Sequence, residues 1–154
     1  MPPPLDDPYD LKRYVEAQDP LFARVCAELA AGCKESHWMW FIFPQLLGLG
    51  SSPTARRYAI ASVEEARAYL EHPVLGARLR ECTHLVNRIE GRTIEEILGY
   101  PDHLKFRSCM TLFAYAVGDA DEGGVFRDAL ARYFAGEADP LTRKLLTSAC
   151  GTSE

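Results

Sequence analysis

Between Lys34 and Gln45 the chain reads KESHWMWFIFPQ, and these twelve residues hold a lysine, a histidine, two tryptophans and a glutamine. That mixture suits a binding pocket. The indoles of Trp38 and Trp40 offer flat walls for an aromatic or ribose ring. Lys34 can meet an anion, Gln45 can read polar edges, and a histidine such as His37 exchanges protons near neutrality. A second group stands in DHLKFRSCMTLFAY, Asp102 to Tyr115. There Lys105, Ser108 and Thr111 recur at a spacing that puts them on one side of a helix. A lysine above two hydroxyls makes a strip for an anion or a hydroxyl group, and Ser108 beside Lys105 has the composition of a Ser–Lys nucleophile.

Each residue also has a plainer reading. Most tryptophans are buried for packing alone. Helical hydroxyls commonly bond back to the carbonyl four residues earlier. Lys34 and His37 read equally as helix-end residues. The expectation of a site rests on the cluster, because pockets are apolar with a few convergent polar groups. His37, Lys105 and Ser108 are its expected catalytic groups; Lys34, Trp38, Trp40, Gln45 and Thr111 are its expected ligand contacts. The other histidines add little: His72 precedes Pro73 and reads as a helix terminator, while His84 and His103 read as exposed.

No histidine or cysteine spacing suggests zinc, so no metal is expected. The stretch GLGSS, Gly48 to Ser52, lacks the Gly-Lys-Ser/Thr of a phosphate loop, and no cofactor is expected. Glu64-Glu65 and Glu95-Glu96 fall in first helical turns, where the helix dipole explains them.

Two lengths of helix must position the two groups, and the rest of the chain supplies them. The first helix is predicted from near Pro8 to Gln18, and the second starts at Asp19-Pro20 and stops at Gly32. The run from Trp38 to Pro44 fits a buried strand or a helix apolar all round; a short helix is favoured, because no other segment reads as a partner strand. A helical turn is expected around Arg57 to Ala61. Ser62 with Glu65 and Thr93 with Glu96 have the capping-box arrangement and open further helices. The stripe Leu75, Leu79, Cys82, Val86 and Ile89 predicts a long amphipathic helix closed by Gly91. Asp102 caps the helix carrying Lys105, which runs to Val117. The polar loop GDADEGG precedes a helix over Val125–Ala135, and Asp139-Pro140 starts the last. The predicted fold is all-α: a compact orthogonal bundle of about eight short helices spanning residues 8–150, with flexible tails at 1–7 and 151–154.

Composition narrows the function. The 154 residues are 47% apolar and 25% charged with a net charge of -5, an ordinary single-domain balance. The pI near 5.4 argues against general nucleic-acid or acidic-membrane binding, which needs clustered Lys and Arg. Cys26, Cys33, Cys82, Cys109 and Cys150 are odd in number and never two residues apart. They read as small buried hydrophobes in a reducing cytoplasm. No apolar run approaches the ~18 residues of a membrane span, and MPPPLDDPYD is not a secretory signal.

The stretches DLKRYVEAQ, KESHWMWFIFPQLLGLG, YAIASVEEARAYLEHPVLGARL and DHLKFRSCMTLF resemble domain-of-unknown-function family 1810, from about Asp10 to Leu146. Its members are small bacterial and fungal proteins, some misleadingly labelled calpastatin. The resemblance implies a compact, mainly helical domain and favours helix for the Trp38–Pro44 run. It implies no reaction, cofactor or catalytic residue. Cys109 stands where the family usually has a second serine.

The expected function is therefore a cytoplasmic protein, a monomer or weak homodimer, with a pocket for an anionic, nucleotide- or ADP-ribose-like small molecule. Any catalysis would be hydrolysis or transfer with His37 as acid and base. The alternative is a non-catalytic interaction or regulatory module that presents the aromatics to another protein. A third reading makes the run core packing alone.

Overall fold

The computed structural model describes residues 7–118 and 124–151. The GDADEGG loop except its end glycines, most of the N-terminal tail and residues 152–154 lie outside the described residues. Ten helices follow in order: α1 Lys12–Gln18, α2 Phe22–Ala31, α3 Met39–Ile42, α4 Pro53–Arg57, α5 Val63–Glu71, α6 Leu75–Asn87, α7 Ile94–Leu98, α8 Asp102–Val117, α9 Gly124–Phe134 and α10 Pro140–Gly151. The fold is all-α, and the described residues hold two more helices than the sequence predicts.

Helix α8 is the hub. It packs against α5, α7, α9 and α10, while α6 packs against α2, α3, α5 and α9. The sequence accounts for its position: Phe106, Cys109, Met110, Leu112, Phe113 and Ala116 spread apolar surface around its circumference, and all are buried. Edge-to-face and tilted rings tie it to its neighbours. Phe106 meets Phe43 with ring centres 4.9 Å apart, and Phe113 meets Tyr69 at 5.4 Å and Phe126 at 5.9 Å.

Helix boundaries follow their caps. Ser62 accepts from the Glu65 N–H, and Thr93 with Glu96 forms a complete capping box. Four expectations shift. Helix α1 begins at Lys12 rather than near Pro8, because Asp10 sits at φ 56 and Asp7 accepts from the Leu11 and Lys12 amides instead. Helix α2 begins at Phe22, since Asp19 closes α1 and pairs with Arg78 at 2.8 Å. Helix α4 lies one turn earlier than Arg57–Ala61, where Ser52 caps and Pro53 takes the first position. Asp102 lies inside the first turn of α8 rather than capping it.

The Trp38–Pro44 run yields one helical turn, α3. The chain then makes an isolated parallel bridge between Leu46 and Ile60, with the Gln45 carbonyl accepting from the Ile60 amide at 2.8 Å. Gly76 sets the closeness of α5 and α6: a Cβ there would stand 2.0 Å from the Leu70 carbonyl oxygen. Among the described residues no helix is long and apolar enough to cross a membrane.

Candidate functional site

The segment carrying Lys34 and His37 has no regular structure, so its shape depends on what holds it. Gly32, left-handed at φ 76, ends α2 and turns the chain back. The Lys34 amide then donates to the Ile97 carbonyl at 2.7 Å, fixing the segment to α7. One carboxylate organises the remainder. Glu28 Oε1 accepts from the Glu35 amide at 2.9 Å, the Ser36 amide at 3.1 Å and the Trp38 indole at 2.9 Å, and Oε2 accepts from the Ser36 hydroxyl at 2.7 Å. Burial by itself raises a carboxyl pKa. Here the Ser36 hydroxyl, the Glu35 and Ser36 amides and the Trp38 indole outweigh it and bring Glu28 down to about 2.

On this frame two lysines share one carboxylate. Lys34 Nζ lies 2.9 Å from Asp102 Oδ2, and Lys105 Nζ lies 3.2 Å from Asp102 Oδ1. Each ammonium also rests on a tryptophan, Lys34 at 5.2 Å from the Trp38 ring centre and Lys105 at 5.3 Å from that of Trp40. Both separations are within the ~6 Å range of a cation–π contact. The lysines differ in access: the Lys34 side chain is 7% exposed, Lys105 29% and Asp102 19%. Two ammoniums against one carboxylate leave the group one charge positive.

A cleft of about 290 Å³ opens beside it, lined by Lys34, His37, Trp38, Met39, Trp40, Tyr100, Pro101, Asp102 and Lys105. Larger depressions exist, of about 440 Å³ beside Arg132 and about 550 Å³ beside His72. Their size alone says nothing of chemistry; the cleft is singled out by its paired charges and aromatic faces.

Five of the eight residues expected at a site line this cleft: Lys34, His37, Trp38, Trp40 and Lys105. His37 is exposed and Trp40 half-buried, while Trp38 is buried, so it is both wall and core. The other three are not among the lining residues. Gln45 stands beyond α3, engaged through its backbone with Ile60. Ser108 is buried and its hydroxyl donates to the Leu104 carbonyl at 3.2 Å. Thr111 donates to the Arg107 carbonyl at 2.8 Å and accepts from the Asp139 amide at 2.8 Å, which fastens the start of α10. Sequence reasoning missed Asp102, Tyr100 and Glu28. Asp102 had a visible signal, standing three residues before Lys105, but read as a cap. Among the described residues no group of three His, Cys, Asp or Glu could hold a metal ion.

A family model described as "Protein of unknown function (DUF1810)" matches residues 8–146. Among solved structures, the chain is similar to the conserved hypothetical protein Rv1873 from Mycobacterium tuberculosis. The two are 57% identical, with 92% of this chain and 99% of that chain covered, and the TM-score is 0.88. No curated protein matches.

Proposed function

The chain belongs to the DUF1810 family, a family of unknown function, and from that footing we propose that its Lys34–Asp102–Lys105 cleft binds a small anionic molecule carrying a flat ring. The observation behind this reading is the shared carboxylate, with each lysine also lying over an indole. Lys105, the more accessible ammonium, meets the anionic group, and Trp40 stacks on the ring. Lys34 holds Asp102 from the buried side. At about 290 Å³ the cleft lies at the lower edge of the ~300–1,000 Å³ typical of ligand pockets. It suits a nucleotide-sized fragment, one ring with its phosphate, and leaves the rest of any ADP-ribose-like ligand outside. If the ligand is turned over, His37 at the rim is the acid–base group and the reaction is a hydrolysis or transfer. The free thiols of Cys26, Cys33, Cys82 and Cys109 suit a reducing cytoplasm.

A second reading draws on Tyr100, 74% exposed, and on Leu104, 43% exposed and four residues on. An apolar rim of this kind also suits a partner protein. Thermal-shift and calorimetric titration with nucleoside monophosphates, and with the matching nucleosides, separate the two. A ligand at a hundredfold excess over its Kd stabilises by ~2.7 kcal/mol. For a chain of this size that raises Tm by roughly 5–10 °C. Monophosphates should bind and nucleosides should bind at least tenfold more weakly; Lys105→Met should remove that difference, and Trp40→Ala should weaken both. A panel without any shift refutes the ligand reading and leaves the docking surface.

A further inference from the structure

Away from the cleft, the depression of about 440 Å³ lies where the chain leaves α6 for α7 and meets the last turn of α9. Ile89, Ile94 and Tyr133 form its apolar wall, and Arg92 and Arg132 also line it. Neutral acceptors hold both arginines. Arg132 donates to the Ile89 carbonyl at 2.7 Å, with its guanidinium 5.7 Å from the Tyr133 ring centre. Arg92 donates to the Glu96 carbonyl at 3.3 Å. The Glu96 carboxylate is occupied elsewhere, accepting from the Thr93 amide at 2.9 Å. Glu90 and Glu95, the other acids of this segment, are exposed. Both arginines are exposed, and among the described residues neither forms an ion pair; in this they resemble most of the chain's arginines, Arg13, Arg78 and Arg107 being the ones with a carboxylate.

Two exposed like charges at one depression are screened by solvent, and the neutral carbonyls that hold them leave both positive charges uncompensated by a carboxylate. An anion from outside compensates them. A guanidinium carries five N–H donors in a planar fork that matches phosphate oxygens, and one carbonyl bond leaves most of that fork available. The bonds to Ile89 and Glu96 also restrict both side chains before any ligand arrives, which lowers the entropy lost on binding.

We propose that Arg92 and Arg132 form a second site, a two-armed clamp for a phosphate group, with Ile89, Ile94 and Tyr133 as the surface against which the rest of a phosphomonoester lies. The test uses the full chain at low ionic strength, where screening is weakest. Inorganic phosphate and phenyl phosphate are titrated by calorimetry, each against wild type and Lys105→Met, and then against Arg92→Met, Arg132→Met and Arg132→Lys made in the Lys105→Met background, where the cleft's share is gone. Binding should saturate. Arg92→Met and Arg132→Met should each weaken it about tenfold or more, since each removes charge-assisted hydrogen bonds. Arg132→Lys, which keeps the charge and loses the fork, should fall between. Tighter binding of phenyl phosphate identifies a phosphomonoester as the ligand; equal binding identifies the free oxyanion. Unliganded melting temperatures and circular dichroism establish that every variant is folded. Absence of saturable binding overturns the proposal. So does binding that survives both arginine substitutions, and binding lost on Lys105→Met alone belongs to the cleft.

Discussion

Replacing Glu28 by glutamine tests how the Cys33–Trp38 segment is held. The substitution keeps shape and one acceptor oxygen, and removes the charge. In the wild type one carboxylate takes four donors, two of them backbone amides. Glutamine can keep the three bonds at Oε1, with the Ser36 hydroxyl turned to accept from the new amide, but each bond loses its charge assistance. The pKa gives the scale. A fall from 4.5 to about 2 corresponds to roughly 3 kcal/mol at 1.36 kcal/mol per unit. Glu28 is partly exposed, and solvent screening reduces this to about 1–2 kcal/mol. The sign follows from linkage. A depressed carboxyl pKa adds stability that is complete above the unfolded value and is lost as pH falls through the folded one. Urea unfolding followed by the fluorescence of Trp38 and Trp40 should show Glu28→Gln about 1–2 kcal/mol less stable at pH 7, a gap that closes between about pH 4.5 and pH 2. A gap of constant size from pH 7 down to pH 2, or none at pH 7, refutes the assignment.

Gly76→Ala, a change that ordinarily stabilises a helix, should here destabilise by about 2–3 kcal/mol in denaturant titration, because the new methyl meets the Leu70 carbonyl and forces α5 and α6 apart. Asp102→Asn should cost about 2–4 kcal/mol, since it strands the buried Lys34 ammonium, whereas Lys105→Met should cost less than about 1 kcal/mol; a chemical-denaturation series on both variants checks the order. Burial raises the phenols of Tyr14 and Tyr69 well above the ordinary value, so neither ionises in the folded protein as the unfolded chain begins to. Stability should therefore fall as pH rises past about 10. In an ultraviolet alkaline titration these two of the seven tyrosines should ionise only as the helices melt.

Much of this arrangement is legible in the residues. Proline at first helical positions, serine and threonine caps, and the stripe from Leu75 to Ile89 report most helices, because those signals act within one or two turns. Two of the boundaries that moved belong to residues with a second partner. Asp19 looks like a cap, but Arg78 from α6 claims its carboxylate. Asp102 looks like a cap until Lys34, far off in sequence, is brought against it. The strip Lys105, Ser108, Thr111 shows the same limit: spacing puts three residues on one side of α8 but says nothing of what covers that side. The cleft lies at the Lys105 end, while Thr111 lies against the start of α10. Glu28 left no pattern to read, because the amides it gathers converge only after Gly32 has turned the chain.

The two lysines are not equivalent, and their difference carries the functional reading. A buried ion pair is a poor device for stability alone, because desolvation consumes most of its Coulombic gain and an apolar pair of similar volume often serves as well. Lys34 is nevertheless held inside, on Trp38 and against Asp102, by a segment that Glu28 anchors from the other end. Packing alone does not require an ammonium there. What the ammonium does is hold Asp102 from within while Lys105 holds it from without. That keeps the more exposed positive charge over Trp40 at the mouth of a cleft with an aromatic wall. The proposed anion site rests on this arrangement, in which one cation is fixed firmly and its twin stays accessible, with a net charge of one.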